Sequence, residues 1–181
     1  MKEKVRKILV VIDMQKDFID GSLGTKEAQA IVENVVKKIG TYDTKNVYAT
    51  RDTHQENYLE TSEGKKLPVE HCIEGTDGWE INAEVAAALG DAVIVNKPTF
   101  GSIVLADLLQ EENDREELEI ELIGLCTDIC VVSNALLLKA AMPEISISVD
   151  ASCCAGVTPE SHEAALTTMQ MCQIAVTNHW K

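Results

Sequence analysis

Along this chain, short unbroken apolar runs alternate with longer stretches in which apolar residues recur every three or four positions. Residues 8–12 (Ile-Leu-Val-Val-Ile) are apolar without a break, as in a strand covered on both faces. Helical periodicity follows over 26–39, through Ala30, Ile31, Val35 and Ile39. The same alternation predicts strands at 46–50, 92–95, 118–123, 145–149 and 174–177. Between them it predicts helices at 81–89, 102–110, from about Cys130 to Ala140, and from Pro159 to about Cys172. Thr158 with Pro159 at the first helical position marks the start of the last helix, and Thr127 is the expected N-cap of the one before it. Strands that alternate with helices imply an α/β fold, a parallel sheet with right-handed crossovers and helices on both faces. One stretch breaks the rhythm. From Arg51 to Asp77 the chain is polar and irregular, and a connection this long inside a compact domain is usually functional.

Length and charge narrow the reading. A chain of 181 residues suits one sizeable domain, here 1–181, and contains neither an internal repeat nor a linker. A net charge of −14 argues against nucleic acid or an acidic membrane as partner. The first apolar run is too short for a signal-peptide core and leads straight into Asp13, so a cytoplasmic protein is expected. The six cysteines then do not read as a disulfide framework, and without a CxxC pair they do not read as a four-cysteine zinc site.

Chemistry concentrates where strands end, which is where parallel α/β sheets bind ligands. Asp13, Lys97 and Cys130 each follow a predicted strand. Alone, each has a plain explanation: a turn cap, a surface lysine, a small residue packed between helix and sheet. Together they form an activated nucleophile, with a carboxylate to take the thiol proton and an ammonium to favour the resulting anions. Placed in the first turn of a helix, Cys130 is expected to be favoured as a thiolate by the unpaired N–H groups there. In the long loop, Asp52-Thr53-His54 sets a carboxylate and an imidazole on one side of an extended segment, and His71 follows later. These three suit zinc, iron or manganese with coordination positions left open, unless the histidines are simply exposed. Glu60 and Glu63 lie between them and either complete the set or are solvated. His162 and His179 receive no role.

At this point the chain resembles the isochorismatase-like cysteine hydrolases, and within them the nicotinamidase/pyrazinamidase branch. The matching blocks are Val-Ile-Asp13-Met-Gln-Lys-Asp17-Phe18, Thr-Arg-Asp52-Thr-His54, the run from His71 to Gly78, Asn96-Lys97-Pro98-Thr99-Phe100, and Gly124-Leu-Cys-Thr-Asp-Ile-Cys130-Val131. Asp150-Ala151-Ser152-Cys153 and His162-Glu163-Ala164-Ala165-Leu166 complete the series in the right order.

The resemblance implies a three-layer fold with a six-stranded parallel sheet in the order 3-2-1-4-5-6. It implies a catalytic triad of Asp13, Lys97 and Cys130, and a cis peptide between Leu125 and Cys126. The backbone N–H groups of Cys126 and Cys130 then form an oxyanion hole. It places one divalent metal ion, zinc foremost, on Asp52, His54 and His71, and it implies a homo-oligomer. The activity implied is hydrolysis of a small amide, nicotinamide to nicotinate and ammonia, through a thioester. The alternatives are a related amidase or carbamoyl hydrolase, or a non-catalytic metal-binding or interaction module on the same fold. Two positions depart from the branch. Tyr58 stands where many members carry a further histidine, and Leu67-Pro68-Val69 stands where many place a stacking aromatic. Phe18 and Tyr58 are the residues expected to line the substrate pocket.

Overall fold

The structure, a computed structural model, describes residues 5–179. Its elements in chain order are β1 (Arg6–Ile12), α1 (Lys16–Ile19), α2 (Lys26–Ile39), β2 (Val47–Asp52), α3 (Ala83–Leu89), β3 (Val93–Lys97), α4 (Ile103–Asn113), β4 (Leu118–Leu125), α5 (Val132–Ala141), β5 (Ser146–Ala155), α6 (Pro159–Met171) and β6 (Ala175–Thr177). The strands form one all-parallel sheet in the order β3-β2-β1-β4-β5-β6. This is the three-layer α/β architecture expected.

The unbroken apolar run of β1 serves two cores because side chains alternate across the sheet. Ile8, Val10 and Ile12 pack with Leu105, Leu109, Leu122, Ala135, Leu138 and Leu166 on the face of α4, α5 and α6. Leu9 and Val11 pack with Ile31, Val35, Ile39, Val85 and Leu89 on the face of α2 and α3. The buried stripe of α2, Ala28, Ile31, Val35 and Ile39, has helical spacing, and Thr25 caps the helix by accepting the Ala28 N–H at 3.0 Å. Thr158 caps α6 as expected, in a capping box with Ser161 and with Pro159 at the first position.

β5 runs well past the apolar segment that predicted it. Asp150 interrupts the apolar pattern but not the strand, since its buried carboxylate is met by Lys38 at 2.7 Å, Asn178 at 2.8 Å and the Ser152 hydroxyl at 2.7 Å. At Gly124 the β4–β5 pairing slips register and φ is +118°, and a Cβ there would collide with the carbonyl oxygen of Ile12. Glycine alone lets β4 approach β1 this closely just before the turn that carries Cys130.

Candidate active site

Three neighbouring strands deliver charge to one point at their carboxyl ends. Asp13 directly follows β1 in a left-handed conformation, φ +46°, unusual for a residue with a side chain. The Thr50 hydroxyl donates to Asp13 Oδ1 at 2.6 Å and holds the carboxylate in place. Parallel pairing of β2 with β3 puts Asp52 opposite Lys97. All three side chains are buried. Lys97 Nζ lies 2.6 Å from Asp13 Oδ2, a buried ion pair. The same ammonium donates to Cys130 Sγ at 3.3 Å, to Asp52 Oδ1 at 3.3 Å and to the Thr99 carbonyl at 3.1 Å. The structure thus brings Asp13, Lys97 and Cys130 together around one ammonium.

Cys130 sits in a π-helical turn, Thr127–Val131, between β4 and α5. The Leu125–Cys126 peptide is cis. Two local expectations fail here. Thr127 does not cap a helix; its hydroxyl bonds His162 Nδ1 at 2.8 Å, and Cys126 precedes the turn without a side-chain cap. Nor do the surroundings favour a resting thiolate: burial, and then the Asp13 carboxylate, push the Cys130 thiol well above its ordinary value, against the opposing pull of Lys97. Burial likewise raises the Asp13 carboxyl above the usual carboxylate range, although Lys97 works against it. For Lys97 itself burial acts downward, but Asp13, Cys130 and Asp52 outweigh it and keep the ammonium charged. Burial thus acts against charge on both the Cys130 thiol and the Asp13 carboxyl, and the Lys97 ammonium between them acts in favour of it. That pairing suits proton transfer at the moment of attack.

A second cluster adjoins the first. Asp52, His54 and His71 each present a ligand atom, all within 4.8 Å of one another. His54 Nε2 is buried and without a hydrogen-bond partner, although it lies 3.0 Å from Asp52 Oδ2. His71 has its Nδ1 2.8 Å from the Val69 carbonyl oxygen, and its Nε2 lies 3.7 Å from Asp52 Oδ2. A second ring nitrogen held by a carbonyl is the usual way a metal-binding imidazole is oriented. Glu63 Oε1 comes within 3.7 Å of both Nε2 atoms, whereas Glu60 is exposed. Burial opposes a charge on His54, but Asp52 and Glu63 together raise the imidazole above its ordinary value. The cluster draws positive charge, and its mixed O/N donors fit a divalent ion.

Residues that pattern did not single out hold these groups in place. Gln15, fully buried, accepts the Asp52 N–H at 2.7 Å and donates to the Asp52 carbonyl at 2.8 Å, which ties the end of β2 to β1. Asp17 accepts the Cys72 N–H at 2.8 Å, next to His71. Asn134 donates to the Cys130 carbonyl at 2.8 Å and to the Phe100 carbonyl at 3.0 Å, and accepts the Ser102 N–H at 2.9 Å. The only sequence hint was its position four residues after Cys130, one helical turn on.

A cavity of about 490 Å³ opens onto both clusters, lined by Phe18, Leu67, Phe100, Ile129, the ligand cluster and Cys130. Cys126 also faces it, its thiol pushed up to about 12 by burial. Of the two residues expected at the substrate pocket, Phe18 lines this cavity. Tyr58 does not line the cavity. Its ring packs behind the imidazoles, 4.7 Å from His54 and 5.0 Å from His71, and its hydroxyl donates to the Leu67 carbonyl at 2.9 Å.

Comparison with known proteins agrees with this geometry. The isochorismatase domain matches residues 7–179. The chain belongs to the isochorismatase family. Its relatives include the uncharacterized isochorismatase family protein PncA of Bacillus subtilis strain 168, 27% identical over 175 residues, which are 90% of this chain and 93% of the relative. Among solved structures, the pyrazinamidase of Pyrococcus horikoshii in complex with zinc has a TM-score of 0.80 at 27% identity, covering 96% of this chain and 99% of that one. The pyrazinamidase/nicotinamidase of Streptococcus mutans has a TM-score of 0.80 at 26% identity, covering 94% and 99%. In this isochorismatase-family chain Leu67 stands on the cavity wall and Tyr58 packs against the imidazoles of the ligand cluster.

Proposed function

We propose that this chain is a cysteine-dependent hydrolase of small amides, with nicotinamide as substrate. The observation that carries the reading is the buried ammonium of Lys97 in contact with both Asp13 and Cys130, the last of which lines the cavity. Amide hydrolysis is also the activity that the names of the pyrazinamidase and nicotinamidase relatives carry.

The chemistry follows from these contacts. Asp13 takes the Cys130 proton as sulfur bonds to the amide carbon. The backbone N–H groups of Cys126 and Cys130 hold the oxygen as it becomes anionic. Lys97 stays charged and offsets the negative charge that passes between sulfur and carboxylate. The C–N bond breaks as Asp13 returns the proton to nitrogen, and ammonia leaves. Asp13 then takes a proton from water, whose oxygen attacks the thioester carbon. The C–S bond breaks, the acid departs, and Cys130 recovers its proton.

Asp52, His54 and His71 would hold the divalent ion, with Glu63 close enough to assist its binding; zinc is our first choice because of the donor set. When bound, it supplies an electrophilic centre with coordination positions open to water or a ring nitrogen. Phe18 offers the apolar face of an aromatic ring to a flat substrate.

One observation favours a second reading. Leu67 is aliphatic where many nicotinamidases have a stacking aromatic, which suits a related amidase or carbamoyl hydrolase whose substrate is not a flat ring. Measuring ammonia release across small amides, ureas and pyridine carboxamides separates the two. The same proposal includes a cytoplasmic homo-oligomer with a small-molecule partner. Its support is the apolar surface of Val93, Ile94, Ile103 and Val104 on β3 and α4, the net charge of −14, and the finding that no described helix is long and apolar enough to cross a membrane.

A further inference from the structure

We infer that His162 is a positioning residue for the nucleophile turn, acting through Thr127. The inference rests on the reading of Cys130 as nucleophile but not on the identity of the amide. His162 lies in the first turn of α6, more than thirty positions from the turn it touches, and its Nδ1 is 2.8 Å from the Thr127 hydroxyl oxygen. Thr127 is fully buried, so this contact is how its hydroxyl is satisfied, and breaking it leaves a polar group without water. Thr127 follows Cys126 and precedes Cys130 by less than one helical turn. Any rotation of Thr127 therefore moves the two N–H groups assigned to the oxyanion and the attacking sulfur together.

The surrounding contacts make this a docking of the turn onto α6 rather than a stray bond. Asp128, the next residue, accepts the Val157 N–H with both carboxylate oxygens, at 3.1 and 3.2 Å. Gly156 passes so close to His162 that a Cβ would come within 2.9 Å of the histidine's own Cβ and backbone nitrogen. The His162 N–H is itself fixed to the Thr158 carbonyl at 3.0 Å by the capped start of α6. From α5, Asn134 holds the Cys130 carbonyl. Contacts from α5 and from α6 thus hold the turn, and of those from α6 the Thr127–His162 bond is the more buried. This gives a role to a histidine that neither the triad nor the ligand cluster uses.

The test is the rate at which iodoacetamide alkylates Cys130, located by peptide mass spectrometry, in the full-length protein. It is measured for His162→Leu, His162→Asn, Thr127→Val, Thr127→Ser and the double variant His162→Leu/Thr127→Val. Asparagine carries a polar atom at the same distance from Cα as Nδ1, so it can restore the bond. Expected is a loss of about five- to tenfold in the Leu and Val variants, the size of one hydrogen bond. The Asn and Ser variants should recover most of it, and the double variant should be no slower than either single one. Amide turnover should fall in parallel through kcat, with KM unchanged. Wild-type alkylation in a folded His162→Leu protein overturns the inference, and so does a double variant whose loss is the product of the two single losses. If His162→Leu does not fold, the Thr127→Val and Thr127→Ser pair decides on the same terms. If the wild-type protein releases ammonia from no amide, the proposed activity fails while the alkylation rates still decide the role of His162.

Discussion

Lys97 Nζ lies 2.6 Å from Asp13 Oδ2, and both side chains are completely withdrawn from solvent. Removing two charges from water costs several kcal/mol per ion, by order-of-magnitude reckoning, and their attraction rarely returns more than a well-packed apolar pair would. As a structural device the pair is expensive. In the proposed mechanism its use is chemical, because the ammonium lets a carboxyl group of raised basicity and a buried thiol sit side by side.

Replacing Asp13 with Asn tests the proton acceptor. The amide preserves the shape and the Thr50 contact, and Lys97 keeps Asp52 as a partner. Alkylation of Cys130 by iodoacetamide should slow by about a hundredfold or more, the usual scale of a lost general base. The circular dichroism spectrum should stay that of the wild type. Unchanged alkylation would remove Asp13 from the mechanism.

The two cysteines facing the cavity should separate cleanly. Cys126→Ala keeps the backbone N–H assigned to the oxyanion and should retain most turnover, within about threefold on the scale of a small packing change. Limited iodoacetamide should label Cys130 first in both the wild type and this variant. A dead Cys126→Ala enzyme would mean the sulfur, not the peptide, matters there.

The ligand cluster predicts metal content. Purified protein should hold about one equivalent of a divalent ion per chain, and His54→Ala should lose it. Glu63→Gln should weaken binding while Glu60→Gln leaves it unchanged, because only Glu63 approaches the imidazoles. Chelation should reduce amide turnover far more than alkylation of Cys130. Full turnover in metal-free protein, with no gain on adding zinc, iron or manganese, would exclude the ion from the reaction.

Asn134 predicts a loss of both stability and activity. Asn134→Leu strands the Cys130 and Phe100 carbonyls and the Ser102 N–H in the interior. It should cost about 1–3 kcal/mol of stability, read as a lower denaturant midpoint, and turnover should fall further than the loss of folded protein explains.

Much of this site was legible in the chain because strand ends are legible. An apolar run that gives way to polar residues marks both the strand and the rim of the sheet, and Asp13, Lys97 and the Asp52–His54 pair all stand at such ends. What pattern missed depended on which distant segments meet. Thr127 has the sequence context of a cap, yet its hydroxyl is taken by His162, thirty-five residues away. Glu60 and Glu63 look equivalent as sequence, but the fold of their loop turns only Glu63 to the imidazoles. The helix-start argument for a thiolate was overridden by burial and a neighbouring carboxylate, which periodicity cannot register. Tyr58 offered a ring and a hydroxyl, but the chain spends both on packing behind His54 and His71.

The most direct measurement is ammonia release from nicotinamide by the metal-loaded wild-type protein and by Cys130→Ala under identical conditions. The account predicts steady release with one nicotinate per ammonia from the wild type, and nothing above the protein-free rate from the variant. Equal release by the two proteins, or none by the wild type, would contradict it.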